Sequence, residues 1–174
     1  MTFPNLTTEQ QELITATLDS AEAAFAKSHE QCPLLIVAQE GAPAEVIDLS
    51  GADKQSVGAV IAVAKQVANV LFITEAWTTR ISTAQDSAIA EAVRTNPANA
   101  VIPEPRTSPD RREAVMVQFR HKQRHILCVA LINRPPGGTP TLEPWTFTDN
   151  ATPEGQIYKT NFSPPGAKLT SGIV

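Results

Sequence analysis

Residues 113–133, with the sequence EAVMVQFRHKQRHILCVALIN, decide the fold of this chain. They form two apolar runs separated by a polar, basic stretch, which is the pattern of a β-hairpin. In the first run Val115 and Val117 alternate with Ala114 and Met116, so both faces of the strand are apolar. Such a strand is covered above and below, and we therefore expect the hairpin to lie in the centre of a sheet.

The second run of the hairpin is equally apolar on its two faces, and Val129 at its centre is predicted to be a core residue. Two helices, or one helix layer and a partner subunit, must cover these faces. Helices in small α+β units commonly pack on one side of the sheet, which would leave the other side bare. A bare apolar face of this size favours a partner chain, and we expect a homodimer.

Two amphipathic helices precede the hairpin. Thr8 and Gln11 match a capping box for a helix that continues to about Glu30, and Asp53 is a suitable N-cap for a second helix through residue 68. Gly58 lies inside the second helix, which predicts close packing against a strand, because glycine is unfavourable in a helix interior. Short apolar runs predict further strands at residues 34–39, 45–49, 70–77 and 142–148.

Three segments have weaker patterns. Residues 80–110 could contain a short helix but end in a proline-rich stretch, for which we expect a mobile excursion. Pro144 falls inside the last predicted strand and removes a backbone donor, so that strand is predicted at an edge or with a bulge. Residues 150–174 have little periodicity and many turn formers, which predicts an extended or flexible tail.

The element order predicts an α+β fold with a mainly antiparallel sheet of five or six strands and two or three helices. We assign residues 1–149 to one domain and residues 150–174 to a Pro/Gly-rich tail. The order resembles that of profilin-like and roadblock-type domains, although the C-terminal helix usual in those folds is not evident. This resemblance concerns architecture and implies no function.

The composition favours an ordinary globular domain. The 174 residues are 42% hydrophobic and 5% aromatic with a formal charge of −4, which argues against a polyanion-binding protein. No stretch reaches the roughly 18 apolar residues of a membrane span, and no signal peptide is evident, so we expect a cytoplasmic protein. Cys32 and Cys128 adjoin apolar strands and are predicted to be buried free thiols.

A strand ending in Glu75-Ala76-Trp77, followed later by Pro109-Asp110-Arg111-Arg112-Glu113-Ala114-Val115, resembles a pattern of uncharacterised bacterial and phage-borne proteins. The resemblance covers about a quarter of the chain and transfers no activity.

The best polar cluster comes from the same residues. Glu75 and Asp110 are candidate catalytic carboxylates, and Trp77, Arg111 and Arg112 are candidate binding residues, with the arginines placed to clamp an anion. Strand ends are where sheet scaffolds carry functional groups. We favour the plainer interpretation, in which these residues form turn hydrogen bonds and surface ion pairs.

Two other patterns are weaker. His121, His125 and Cys128 have a ligand-like spacing, but positions 125 and 128 point to opposite faces of a strand, so we predict no metal site and no cofactor. Residues 120–125 concentrate three positive charges at the hairpin tip, which could contact a phosphate backbone. A solvated turn is the simpler interpretation.

No motif in the sequence specifies an activity. The hypothesis that we favour is a non-enzymatic module that binds another protein or itself. The alternative is a small hydrolase or anion-binding enzyme using the Glu/Asp/Arg cluster, and an accessory nucleic-acid contact through the hairpin tip is a third.

Overall fold

The computed structural model describes residues 3, 5–39, 41–79 and 111–149. Asp110, the short helix predicted within residues 80–110 and the predicted tail at 150–174 lie outside these residues. The described part contains two helices, α1 (Thr8–Ser28) and α2 (Lys54–Ala64). Its strands are β1 (Leu34–Ala38), β2 (Glu45–Asp48), β3 (Asn69–Thr79), β4 (Arg111–His121), β5 (Arg124–Asn133), β6 (Thr141–Leu142) and β7 (Thr146–Asp149).

All seven strands belong to one antiparallel sheet with the order β2-β1-β3-β4-β5-β6, and β7 also pairs with β5. The predicted α+β class and antiparallel sheet are confirmed. The sheet has one strand more than the largest number predicted, because the segment around Pro144 divides into β6 and β7. Proline has no N–H to donate, so the ladder on β5 is interrupted as predicted.

The central hairpin is β4 and β5, which turn at Lys122 and Gln123. Val115 lies opposite Ala130 and Val117 opposite Cys128, and these four side chains are buried. Lys122 adopts a left-handed conformation with φ 51°, as a tight hairpin turn requires. The predicted central position of the hairpin is confirmed, since β3 flanks it on one side and β6 and β7 on the other.

Helix α1 covers one face of the sheet. Its cap is Thr7 with Gln10, one residue before the predicted pair, and both reciprocal hydrogen bonds of the capping box are present. The helix buries a stripe at helical spacing against β3, β4 and β5: Ile14, Leu18, Ala21 and Phe25 pack with Leu71, Ile73, Val115, Val117, Phe119, Ile126 and Cys128. We call this side of the sheet the α1 face.

Helix α2 lies on the other face, which we call the α2 face. Ile61 is buried with Leu35, Val70 and Phe72, and Val57 packs against them. The prediction that both helices lie on one side of the sheet is therefore wrong. Asp53 is the N-cap of α2, as predicted, and its carboxylate accepts a hydrogen bond from the Ser56 N–H at 2.9 Å.

A second apolar cluster lies on the α2 face, further along the strands. Ala76, Ala114, Met116 and Leu127 are between 0% and 6% exposed. Val129 packs against this cluster and is only half-buried, so its predicted place in the fully buried core is wrong. Both faces of the hairpin are thus buried within one chain, and the bare face from which we predicted a homodimer is not present in it.

Candidate functional site

The predicted polar cluster lies where β3 extends past β1. The pairing of β1 with β3 begins at Leu34 and Ile73, so the next residues of β3 lie beside the loop that precedes β1. In that loop the backbone N–H of Gln31 donates a hydrogen bond to Oε2 of Glu75 at 3.1 Å. Glu75 is 6% exposed, and its burial raises the pKa of the carboxyl, against the lowering effects of Gln31 and Arg134.

Arg134 forms ion pairs with two carboxylates, those of Glu75 and Glu113. Its Nη2 donates to Oε1 of Glu75 at 2.9 Å, and its Nε donates to Glu113. These bonds to Glu113 and Glu75 raise the pKa of the Arg134 guanidinium. Arg134 was not among the site residues predicted from the sequence. The hairpin register could have indicated this contact. If the register is continued past the pair of Ala114 and Leu131, Arg134 lies near Glu113 on the same face.

The other predicted binding residues also have partners. The guanidinium of Arg111 lies 5.2 Å from the centre of the Trp77 ring, in a cation–π contact. Arg112 forms an ion pair with Glu143, in which both side chains are more than 40% exposed. The arginines predicted to clamp an anion are therefore engaged by protein groups. The Arg112 pair is a surface ion pair, as in the plainer interpretation, whereas the ion pair of Glu75 with Arg134 has a buried carboxylate.

A cavity of about 620 Å³ lies on the α2 face beside this cluster. Its volume is within the range of small-molecule sites. Its apolar lining is Pro33, Leu49, Val57, Ile61 and Phe72, and its polar lining includes Gln31, Thr74, Glu75, Gln118, Arg120 and Arg134. No sequence motif indicated this cavity, because its lining comes from α2, β3, β4 and three connecting loops.

Gly58 lies on the α2 wall of the cavity. A Cβ atom at this position would meet no other atom within 4 Å, so the predicted close packing against a strand is wrong. The missing side chain leaves space that a large side chain would fill.

Two buried polar atoms among the lining residues have no hydrogen-bond partner: Oε1 of Gln31 and Nε of Arg120. The amide nitrogen of Gln31 is satisfied by the carbonyl of Cys32 at 2.9 Å. Arg120 donates from Nη2 to Oε1 of Gln118 at 3.2 Å. Burial lowers the pKa of the Arg120 guanidinium. Most buried polar groups in proteins are satisfied, and of the six unsatisfied atoms among the described residues these two belong to the cavity lining.

The hairpin tip is packed against the protein rather than fully solvated. The N–H of Lys122 donates to the carbonyl of Lys65, and a ring nitrogen of His121 lies 3.1 Å from the carbonyl of Ala68. Of the tip residues, Lys122 and Gln123 are exposed, whereas the residues on either side are half-buried. The interpretation as a simple solvated turn is therefore corrected, and less of the basic surface faces solvent than the sequence suggested.

The histidines and cysteines have different environments in the structure. Burial, with the nearby charges of Arg120 and Lys65, lowers the pKa of His125 to about 4. Cys128 is buried in the core, whereas Cys32 is exposed, so its predicted burial is wrong. Within residues 3–39 (except 4), 41–79 and 111–149, no group of three or more His, Cys, Asp or Glu residues could hold a metal ion.

The two thiols are expected to differ sharply in reactivity. Burial raises the pKa of the Cys128 thiol to about 12, and only the thiolate reacts. A thiol reagent should therefore modify Cys32 in the native protein and both cysteines in denaturant. The measurement is mass spectrometry of tryptic peptides after timed labelling, with Cys32→Ser as the control. Rapid native labelling of Cys128 in that variant would contradict the assignment of Cys128 to the core.

Comparison with known proteins adds no family. No protein-family model matches the chain, and no curated protein or solved structure matches it either. Neither helix of the described residues is long and apolar enough to cross a membrane.

Proposed function

We propose that this protein is a non-enzymatic protein-binding module, and that it binds through the edge strand β2 and the exposed valines of α2. The observation that carries the proposal is the placement of large exposed apolar side chains. Four of the six among the described residues lie on the α2 side of the sheet or directly after α2: Ile47, Val60, Val63 and Val67. We call these four residues the β2–α2 surface, whereas Val46 pairs with Ile36 and so faces the α1 side of β2.

The helix geometry places the valines on the β2 side of α2. At about 100° per residue, Gly58 lies on one side of the sheet-facing Val57, and Val60 and Val63 lie on the other. Gly58 lines the cavity over β3 and β4. Val60 and Val63 therefore face away from the cavity, towards β1 and β2. Val63 is 73% exposed, so its side chain contributes almost nothing to the core.

Strand β2 supplies backbone groups beside these valines. Among the described strands it pairs with β1 alone, and all four of its residues are exposed. The N–H of Leu49 donates to the carbonyl of Pro33 in the same ladder. Backbone hydrogen bonds alternate along an antiparallel pair of strands. The backbone groups of Glu45 and Ile47 therefore bond to β1, whereas those of Val46 and Asp48 point away from it. An added strand would bond to those two residues.

The charges favour a basic partner. Glu45 and Asp48 are the ionisable residues of β2, and both are exposed. We therefore propose an extended segment of another protein, with apolar residues flanked by Lys or Arg. A second copy of this chain is the other candidate. Pairing two β2 strands would, however, bring four carboxylates together without a basic residue between them, which is unfavourable.

The proposal is tested with synthetic peptides on the full chain. A peptide of alternating Val and Thr flanked by Lys should bind, and the same peptide flanked by Glu should not. Val63→Glu is expected to weaken binding about tenfold or more, since it puts a charge into the apolar contact. Ala62→Glu is the matched control, because it adds the same charge to an exposed position on the Gly58 side of α2.

The readouts are fluorescence anisotropy of labelled peptide and amide exchange at Val46 and Asp48. Equal loss of binding in Val63→Glu and Ala62→Glu, or no binding of either peptide, would overturn the proposal. Light scattering on the same samples distinguishes the two partners. A mass of twice 18.7 kDa that falls to one chain in Val63→Glu would identify a second copy as the partner.

The other two hypotheses have less support. The enzyme alternative required free arginines beside its carboxylates, and Arg111, Arg112 and Arg134 all contact other side chains. The nucleic-acid contact required a solvated basic tip, and Arg120 and Arg124 are half-buried.

A further inference from the structure

We propose that the cavity on the α2 face binds an elongated organic acid, with its carboxylate at Arg120, an apolar middle against Phe72 and Ile61, and a hydrogen-bond donor at Gln31. This is a small-molecule site separate from the β2–α2 surface, which lies on the other side of α2. The proposal rests on the two unsatisfied polar atoms, the apolar lining between them and the space left by Gly58.

Arg120 indicates the anionic group. Its Nε is buried without a partner, and its contact with Gln118 is to a neutral amide. Desolvation is the single cause that shifts its pKa, so no carboxylate of the described residues compensates its charge. A desolvated and uncompensated guanidinium is costly, whereas a carboxylate accepts two parallel N–H bonds from it. An organic anion in the cavity would satisfy both the charge and the Nε donor.

Gln31 indicates the opposite end of the ligand. Its Oε1 is a buried acceptor without a donor, and the residue is 7% exposed. Its backbone bonds to Glu75, whereas Arg120 lies opposite Val70 in the sheet. Glu75 follows Val70 by five positions along β3, which is about 17 Å of backbone. A ligand that reaches from one end to the other is therefore elongated and carries a hydroxyl or amino group opposite its acid.

The middle of the cavity is apolar. Val57, Ile61 and Phe72 line it, and Gly58 presents no side chain to it. Burying an aliphatic chain against these residues supplies the non-polar part of the affinity. An acid with an aliphatic chain of intermediate length fits this arrangement better than an inorganic anion, because an inorganic anion would leave the apolar wall uncovered.

The test compares three probes by isothermal titration calorimetry: 8-hydroxyoctanoate, octanoate and the neutral octanamide. We expect 8-hydroxyoctanoate to bind most tightly, with a Kd on the order of 10–100 µM, followed by octanoate and then octanamide. Arg120→Gln should weaken octanoate about 10- to 100-fold and remove its advantage over octanamide. Lys122→Gln is the control, since it removes the same charge two residues away at an exposed position.

The thermal midpoint gives a second readout that a purely structural arginine would not produce. Removing the uncompensated charge in Arg120→Gln should raise the Tm of the free protein while it weakens the acid. Gly58→Leu should also keep or raise the Tm, because leucine favours the helix, and yet abolish binding by filling the cavity. Gly58→Ala should retain binding.

The proposal would be overturned by equal affinities for octanoate and octanamide, by equal losses in Arg120→Gln and Lys122→Gln, or by no binding of any probe to the folded protein. A lower Tm in Arg120→Gln with unchanged affinity would assign Arg120 a structural role and overturn it as well. These readouts are independent of peptide binding at the β2–α2 surface.

Discussion

Val117→Asp is expected to unfold the protein at room temperature. Val117 is 0% exposed, and it lies on the α1 face between Ile73 of β3 and Cys128 of β5. An aspartate there has no described cation within the cluster and no access to water. The cost is about 5 kcal/mol or more, comparable with the whole stability of a small domain. Far-ultraviolet circular dichroism during urea titration measures it.

Two further variants show how the loss of stability depends on the burial of the substituted side chain. Val63→Asp makes the same change at a side chain that is 73% exposed, so it should cost less than about 1 kcal/mol. Val129→Asp is expected to fall between the two, because Val129 is half-buried on the α2 face. Cooperative unfolding of Val117→Asp at the wild-type urea midpoint would show that α1 does not cover the hairpin as described.

Arg134→Met should destabilise the protein by about 2–3 kcal/mol at neutral pH, because it leaves the buried carboxylate of Glu75 without its cation. Glu113 would lose the same partner. The double variant Glu75→Gln with Arg134→Met should recover most of the loss, since it removes the buried charge. Urea unfolding midpoints of the single and double variants measure both effects.

The pH dependence supplies an independent check. Burial already raises the pKa of Glu75 in the folded protein, and removing Arg134 takes away a lowering effect. The folded state of the variant thus binds the proton more tightly than the unfolded chain. Its stability should rise relative to wild type as the pH falls from neutral through the raised pKa of Glu75. Glu75→Gln should abolish this rise.

Arg112→Met is the control for that pair. It removes the exposed ion pair with Glu143, and such pairs contribute at most about 1 kcal/mol. A pH-independent loss in Arg134→Met, equal to the loss in Arg112→Met, would show that the buried carboxylate does not depend on Arg134.

The sequence by itself determined the elements with local causes. The apolar alternation of residues 114–119 and 126–132 predicted a hairpin buried on both faces, and the structure has it. Asp53 predicted the start of α2 and Pro144 the interrupted last strand. These features depend on side-chain period, on caps and on the missing N–H of proline, each of which acts within a few residues along the chain.

The tertiary structure alone decided where those elements meet. The contact of Glu75 with Arg134 joins residues 59 positions apart, and it depends on the strand order and on where β1 ends. Helices α1 and α2 pack on opposite faces of the sheet, and the hairpin residues on the face that was expected to be bare are buried as well. The same placement left Arg120 unsatisfied at a cavity beside Gly58. Side-chain period fixes which residues share a face, but the packing of distant elements fixes what lies against that face.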